Sequence, residues 1–245
     1  MIILFAPSEG KREGGNLPPL NQENLILPEL YSKRFEVIQQ YEQLIQDGNE
    51  QQLFDLFGLK DSREYERYKQ SFDTQPTMKA IERYDGVAYD YLNYTTLSSE
   101  QQHYLDTNVI LFSNLFGPIR AGDSLPDYKL KQGSSIGSLV PEKFYKEHFT
   151  VALDAYIGEE EVLDIRAGFY DKFYIPKQPI TTLKFLKEGK VISHWAKAYR
   201  GAVLREIAQH QINSISALLA LNIEGLNLVE IIETKKKKEI IYAIH

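Results

Sequence analysis

Two continuous apolar runs, MIILFA over residues 1–6 and NVILFS over residues 108–113, set the frame for this chain. An unbroken apolar run of this length, rich in β-branched residues, reads as a strand buried inside a protein. Pro7 ends the first run, and a Gly- and Pro-rich connection follows it to Pro28. Two buried strands so far apart in sequence require a sheet, and helices elsewhere in the chain to cover it.

Helical spacing of apolar residues predicts a helix from Glu29 to about Gln46 and a second from Glu50 to Phe57. Gly58-Leu59-Lys60 breaks the pattern, and Asp61 with Glu64 three positions later reads as a capping box opening a helix to about Ser71. Further helices are predicted over Thr77–Tyr84, Val87–Leu92, Ser98–Leu105, Pro141–Tyr156, Ala196–Gln209 and Ser214–Leu221. Strands are predicted at Tyr128–Lys131, Glu161–Ile165, Ile180–Leu186 and Lys190–His194, with a closing hairpin of Leu226–Glu233 and Glu239–Ile244. This order implies one α/β (mixed α+β) domain over residues 1–245 with a mixed central sheet. The regular βαβ alternation of a doubly wound fold is absent.

Composition removes several chemistries. The absence of cysteine excludes disulfides, thiolate zinc sites, iron–sulfur clusters and cysteine nucleophiles. The five histidines show no metal-ligand spacing, and Glu159-Glu160-Glu161 reads as a solvated turn, so no metal or cofactor is expected. A formal charge of −6 argues against coating nucleic acid with the whole surface, but leaves room for a local basic cleft. No apolar run approaches the ~18 residues needed to cross a bilayer. A soluble, cytoplasmic monomer with no membrane partner is expected.

Gly133-Ser134-Ser135-Ile136-Gly137 matches the G-x-S-x-G nucleophile elbow, which needs a helix starting at the serine. The next helix is predicted only at Pro141, so a triad of Ser135, Asp164 and His194 or His210 is disfavoured.

Cations at strand ends carry more information. Lys11 lies in PSEGK after the first strand, Arg120 in FGPIRAGD after the second, Arg166 in DIRAG, and Lys197 with Arg200 in HWAKAYRG. Converging, they would form a pocket suited to phosphate. Glu9 and Asp123 are the candidate acid–base residues should that pocket be catalytic, with Tyr128 or Tyr170 orienting the ligand.

The ordered set PSEGK, LFGPIRAGD, PDYKLKQG, DIRAGFY and AKAYRG resembles the bacterial YaaA family of peroxide stress response proteins over nearly the whole chain. The resemblance implies a single-domain mixed α/β fold peculiar to the family (the cantaloupe fold), with a basic cleft and a helix-hairpin-helix element. Residues 51–72, with the turn at Gly58 to Lys60, are where that element should lie. The implied function is sequence-independent binding of double-stranded DNA, limiting iron-driven oxidative damage, with no established reaction. The matching positions are Lys11, Arg120, Asp123, Tyr128, Gly133, Lys197, Arg200 and Gly201. The competing expectation is an enzyme or binder for a phosphorylated small molecule or nucleotide in the Lys11, Arg120, Lys197 and Arg200 cleft. A third is a regulatory protein with no ligand.

Overall fold

The computed structural model describes residues 1–192 and 195–244. Strand β1 (Ile2–Phe5) is followed by the short β2 (Gly10–Lys11), α1 (Tyr31–Asp47) and α2 (Glu50–Phe57). A 3-10 helix at Ser62–Tyr68 leads to β3 (Met78–Lys79), α3 (Ala80–Arg83), β4 (Tyr84–Asp85), α4 (Val87–Leu92) and α5 (Ser99–Asn108). Next come β5 (Val109–Ser113), β6 (Gly117–Arg120), β7 (Ser124–Leu125), α6 (Pro141–Ile157) and β8 (Val162–Asp164). The chain closes with β9 (Ile180–Lys187), β10 (Lys190–Val191), α7 (Ala196–Gln209), α8 (Ile215–Ala220), β11 (Leu226–Glu233) and β12 (Lys237–Ile244).

The mixed central sheet runs β11-β12-β9-β8-β1-β5-β6, with β10 paired to β9. From β12 to β5 all neighbours are parallel, and β6 and β11 are antiparallel edges. All four residues of β1 and all five of β5 are buried, which explains why their sequences show no alternation. After β1 the chain reaches β5 on one side, and only later returns to place β8 on the other. The sheet therefore has a topological switch point at the C-terminal end of β1, between β1 and β8.

Two buried arginines hold irregular backbone against this core. Arg34 donates from Nε to the Phe116 carbonyl at 2.9 Å and from Nη2 to Ile26 and Pro118, both at 3.0 Å. Arg83 reaches the carbonyls of Arg12, Gly14 and Leu125. Each satisfies oxygens that the loops leave unpaired.

Several local expectations are corrected. Tyr128–Lys131 is not a strand: the Tyr41 hydroxyl bonds the carbonyl and N–H of Lys129, and Lys131 N–H donates to Leu56, so the segment lies on α1 and α2. Gly117–Arg120, read as a loop, is edge strand β6, where Pro118 is tolerated because no further strand needs its missing N–H. The segment after Asp61 is 3-10 rather than α-helical, with Asp61 capping Arg63 N–H. Thr77–Tyr84 divides into β3, the four residues of α3, and β4 because Ala80 and Ile81 donate to Asp123 and Ala121. In the predicted strand Lys190–His194, Lys190–Val191 pairs with β9 and Ile192 N–H donates to the Phe185 carbonyl; Ser193 and His194 lie outside the described residues.

Candidate functional site

A cavity of about 450 Å³ opens at the switch point, between the loop after β1 and the loop after β8. Ala6 to Glu9 form one wall and Ile165 with Ala167 another. Gly86, Val87 and Tyr89 from the start of α4 face them, Lys197 and Arg200 enter from α7, and Tyr170 and Gln132 complete the lining. Open α/β sheets bind ligands at this position because the rigid strand ends fix the loops around a gap.

Close packing places these groups. A β-carbon at Gly201 would come 1.9 Å from the Ala88 carbonyl oxygen, so glycine lets α7 lie directly on α4. That contact brings Lys197 and Arg200, three residues apart on one helix face, to the cavity. Gly86 adopts φ +140°, and a β-carbon there would meet Ser8 Oγ at 2.8 Å. Tyr89 donates its hydroxyl to the Ala6 carbonyl at 2.9 Å, fixing the loop after β1.

Lys197 and Arg200 have no ion pair among the described residues. Arg200 Nε is buried without a hydrogen-bond partner, and burial lowers the guanidinium pKa against the opposing pull of Asp164. Glu9 is partly engaged: its Oε1 accepts the Gln132 N–H at 3.1 Å.

Lys11 lies beside the cavity, off its lining. Its amine stands 4.3 Å from the Tyr128 ring centre and 5.4 Å from that of Tyr84, and reaches the Glu9 carbonyl at 3.5 Å. Lys129 Nζ donates to the same carbonyl at 3.3 Å. Burial, then the Lys129 charge, lower the Lys11 pKa from 10.5 to about 7. Tyr128 is buried, its hydroxyl linked to Tyr84 at 2.8 Å and Ser113 at 2.7 Å, so it supports Lys11 from below.

Three expected members of the cleft are used elsewhere. Arg120 pairs through Nε with Asp123 at 3.0 Å and borders a separate, more open depression near Asn24 to Glu29. Asp123 is buried, and its Oδ2 accepts the N–H groups of Ile26 at 3.0 Å and Arg120 at 2.8 Å, a structural role. Arg166 clasps Asp164 through Nε at 2.9 Å and Nη2 at 2.7 Å, while Nη1 donates to Tyr170 and Tyr174. With its side chain 1% exposed, four of its five N–H groups bonded and Nη2 also 3.6 Å from Asp171 Oδ1, Arg166 is committed to its own neighbours. Ser135 is exposed on a turn with no helix behind it, as its spacing from Pro141 implies, and Glu160 and Glu161 hold the Met1 amine and Ile215 N–H.

The turn after α2 stands beside the same rim. Gly58 takes φ +67° and closes α2 by donating to Phe54; the Lys131 side chain lies so close that a β-carbon at 58 would meet its Cδ at 2.7 Å. Arg67 of the 3-10 helix ties this region to the first loop, bonding Asp127 at 2.6 Å and the Lys11 carbonyl at 3.3 Å. Of the flanking acids, Asp61 is paired with Arg63 at 2.6 Å and Glu66 with Lys69 at 2.7 Å, whereas Asp55 and Glu64 are in no ion pair among the described residues. Lys60, Lys129 and Lys131 are in no ion pair among the described residues. Lys129 and Lys131 were missed from sequence, although PDYKLKQG places a lysine on either side of Leu130. Among the described residues no helix is long and apolar enough to cross a membrane.

Comparison with known proteins follows this geometry. A model of the family described as peroxide stress protein YaaA matches residues 1–231. An uncharacterised protein of Campylobacter jejuni is 48% identical over 244 residues, covering 100% of this chain and 99% of its own length. A UPF0246 protein of Corynebacterium efficiens is 32% identical over 216 residues, 85% of each chain, and one of Streptomyces coelicolor is 29% identical over 215 residues, 84% of this chain and 82% of its own. The chain therefore belongs to the peroxide stress protein YaaA family.

Proposed function

We propose that the protein acts in the peroxide stress response by holding double-stranded DNA through its phosphates, without reading sequence. The observation that carries this reading is a set of lysines without an ion pair among the described residues, Lys60 in the turn after α2, Lys131 packed on Gly58 and Lys129 two residues before it, where Asp61 and Glu66 are neutralised by their own neighbours. Phosphate binding rests on uncompensated cations, and each one that displaces a counterion adds to the salt dependence. Gly58 supports the same reading, since a glycine turn at a helix end lets backbone approach a phosphate closely. The helix-hairpin-helix assignment is part of this proposal: α2 supplies the first helix, and the seven-residue 3-10 helix at Ser62–Tyr68 stands in for the second.

The test is duplex binding measured by fluorescence anisotropy across a salt series with unrelated sequences. Affinity is expected to fall linearly with salt on logarithmic axes, equally for every sequence. K60A and K131A should each weaken binding and lower the slope by about one. A slope near zero, or unchanged slopes in both variants, would sink the reading.

A further inference from the structure

The lysine set does not use the cavity at the end of β1. Three observations describe what that cavity accepts. Among the described residues Lys197 and the guanidinium of Arg200 close no ion pair, and Arg200 Nε is held out of water without a hydrogen-bond partner. Two unneutralised cations match a doubly charged phosphate monoester better than a single carboxylate, because each uncompensated charge in a partly dry site is costly. One part of the lining is apolar or aromatic, with Phe5, Val87, Tyr89, Ile165 and Tyr170 offering faces for a flat hydrophobic body.

Between these surfaces lie groups suited to hydroxyls and ring edges. The hydroxyls of Ser8 and Tyr170 meet no hydrogen-bond partner among the described residues, and Glu9 keeps Oε2 free while Oε1 holds Gln132 N–H. A carboxylate accepting from ribose hydroxyls beside a phosphate grip is a recurring feature of nucleotide sites at switch points. A cavity of about 450 Å³ lies in the size range of small-molecule sites and is too small for a duplex.

We infer that this cavity binds one nucleoside monophosphate unit, with its phosphate on Lys197 and Arg200 and its base against Tyr89 and Tyr170. The unit can come from two sources, a free mononucleotide or an unpaired 5′-phosphorylated nucleotide of a DNA strand. The free-nucleotide source stands without the duplex reading, whereas the strand source extends it. Glu9 serves as an acceptor for the sugar, which accounts for a carboxylate that a duplex surface would repel.

The probes are dAMP, 2′-deoxyadenosine and inorganic phosphate, followed by thermal melting of the full chain. dAMP is expected to raise the melting temperature, whereas 2′-deoxyadenosine and phosphate, each filling one part of the cavity, should do so much less. R200Q and K197Q should each weaken dAMP by about tenfold or more, the range of a lost charge-assisted contact. Lys197 is exposed, so K197Q tests the site even where a change at the half-buried Arg200 disturbs packing. K60A should leave dAMP binding unchanged, which separates this site from the lysine set. Competition then identifies the source. dAMP displacing a duplex with a 5′-phosphorylated single-stranded tail, but not a blunt duplex, assigns the strand end; dAMP displacing neither assigns the free nucleotide. No dAMP-dependent shift at millimolar concentration, or the same shift in wild type and K197Q, overturns the inference.

Discussion

Gly201 of α7 lies against Ala88 of α4 with no room for a β-carbon, which would stand 1.9 Å from the Ala88 carbonyl oxygen. This one approach decides how far α7 projects Lys197 and Arg200 over the end of β1. A G201A substitution is expected to force the two helices apart and cost about 1–3 kcal/mol, the range for overpacked contacts. Urea denaturation reads the loss. A G201A protein as stable as wild type would mean that α7 has other ways to seat.

The Arg166–Asp164 pair is buried on both sides, the two side chains being 1% and 8% exposed. Removing Asp164 leaves the buried Arg166 with only the exposed Asp171, at 3.6 Å, as a counter-charge. D164N is expected to destabilise the protein by about 3–5 kcal/mol, and a paired replacement of both residues by apolar ones should cost far less. Equal losses in the single and paired replacements would argue against this account.

Asp123 makes a different prediction from a catalytic one. D123N sets an NH2 either on the position that accepts from both the Ile26 and Arg120 N–H groups or against Arg120 Nε, and removes the charge that holds Arg120. About 1–3 kcal/mol of stability is expected to go with the unsatisfied donors. Since Asp123 is not in the lining of the cavity at β1, dAMP binding by the folded variant should match wild type. A selective loss of dAMP binding at unchanged stability would return Asp123 to the site.

Lys11 links the first loop to pH. Its folded pKa of about 7 lies below the ordinary 10.5, so between those values the unfolded chain binds more protons than the folded one. Stability arising from Lys11 therefore increases as pH rises through that window, and the full penalty for charging the amine is present below it. K11M removes the titration: its advantage over wild type should be largest below about pH 7 and shrink steadily towards about pH 10. Chemical denaturation across that range checks the slope. A constant gap would show that the amine stays protonated against Tyr128.

Much of the fold was legible because it is encoded locally. Helix α2 begins and ends where the spacing of Leu53, Leu56 and Phe57 places it, closed by Gly58 at φ +67°. Helix α5 carries a capping box of Ser98 and Gln101, and β1 and β5 declare themselves by continuous burial. Edge strand β6 was missed because Gly117 and Pro118 carry turn chemistry, and only pairing with β5 makes them a strand. Tyr128–Lys131 failed in the opposite sense: it is extended but finds helices, not a sheet, for its backbone bonds.

At the site, local patterning determined that cations follow the strand ends: Lys11 after β1, Arg120 at β6, Arg166 after β8, and Lys197 with Arg200 in α7. It did not determine which of them are available. Arg120 has Asp123 three residues on, and Arg166 has Asp164 two residues back, and both pairs close in the folded chain. Lys197 and Arg200 close no ion pair among the described residues, and near Lys60, Lys129 and Lys131 the acids Asp61, Glu66 and Asp127 belong to other partners. Charge in a sequence is a property of residues, whereas a usable charge is what remains after folding has paired and buried the rest. The residue types around Glu9 and Lys11 were therefore set by the sequence alone. Their place beside a cavity at the switch point, with Arg200 across it, was decided only by the order of the strands and the contact of α7 with α4.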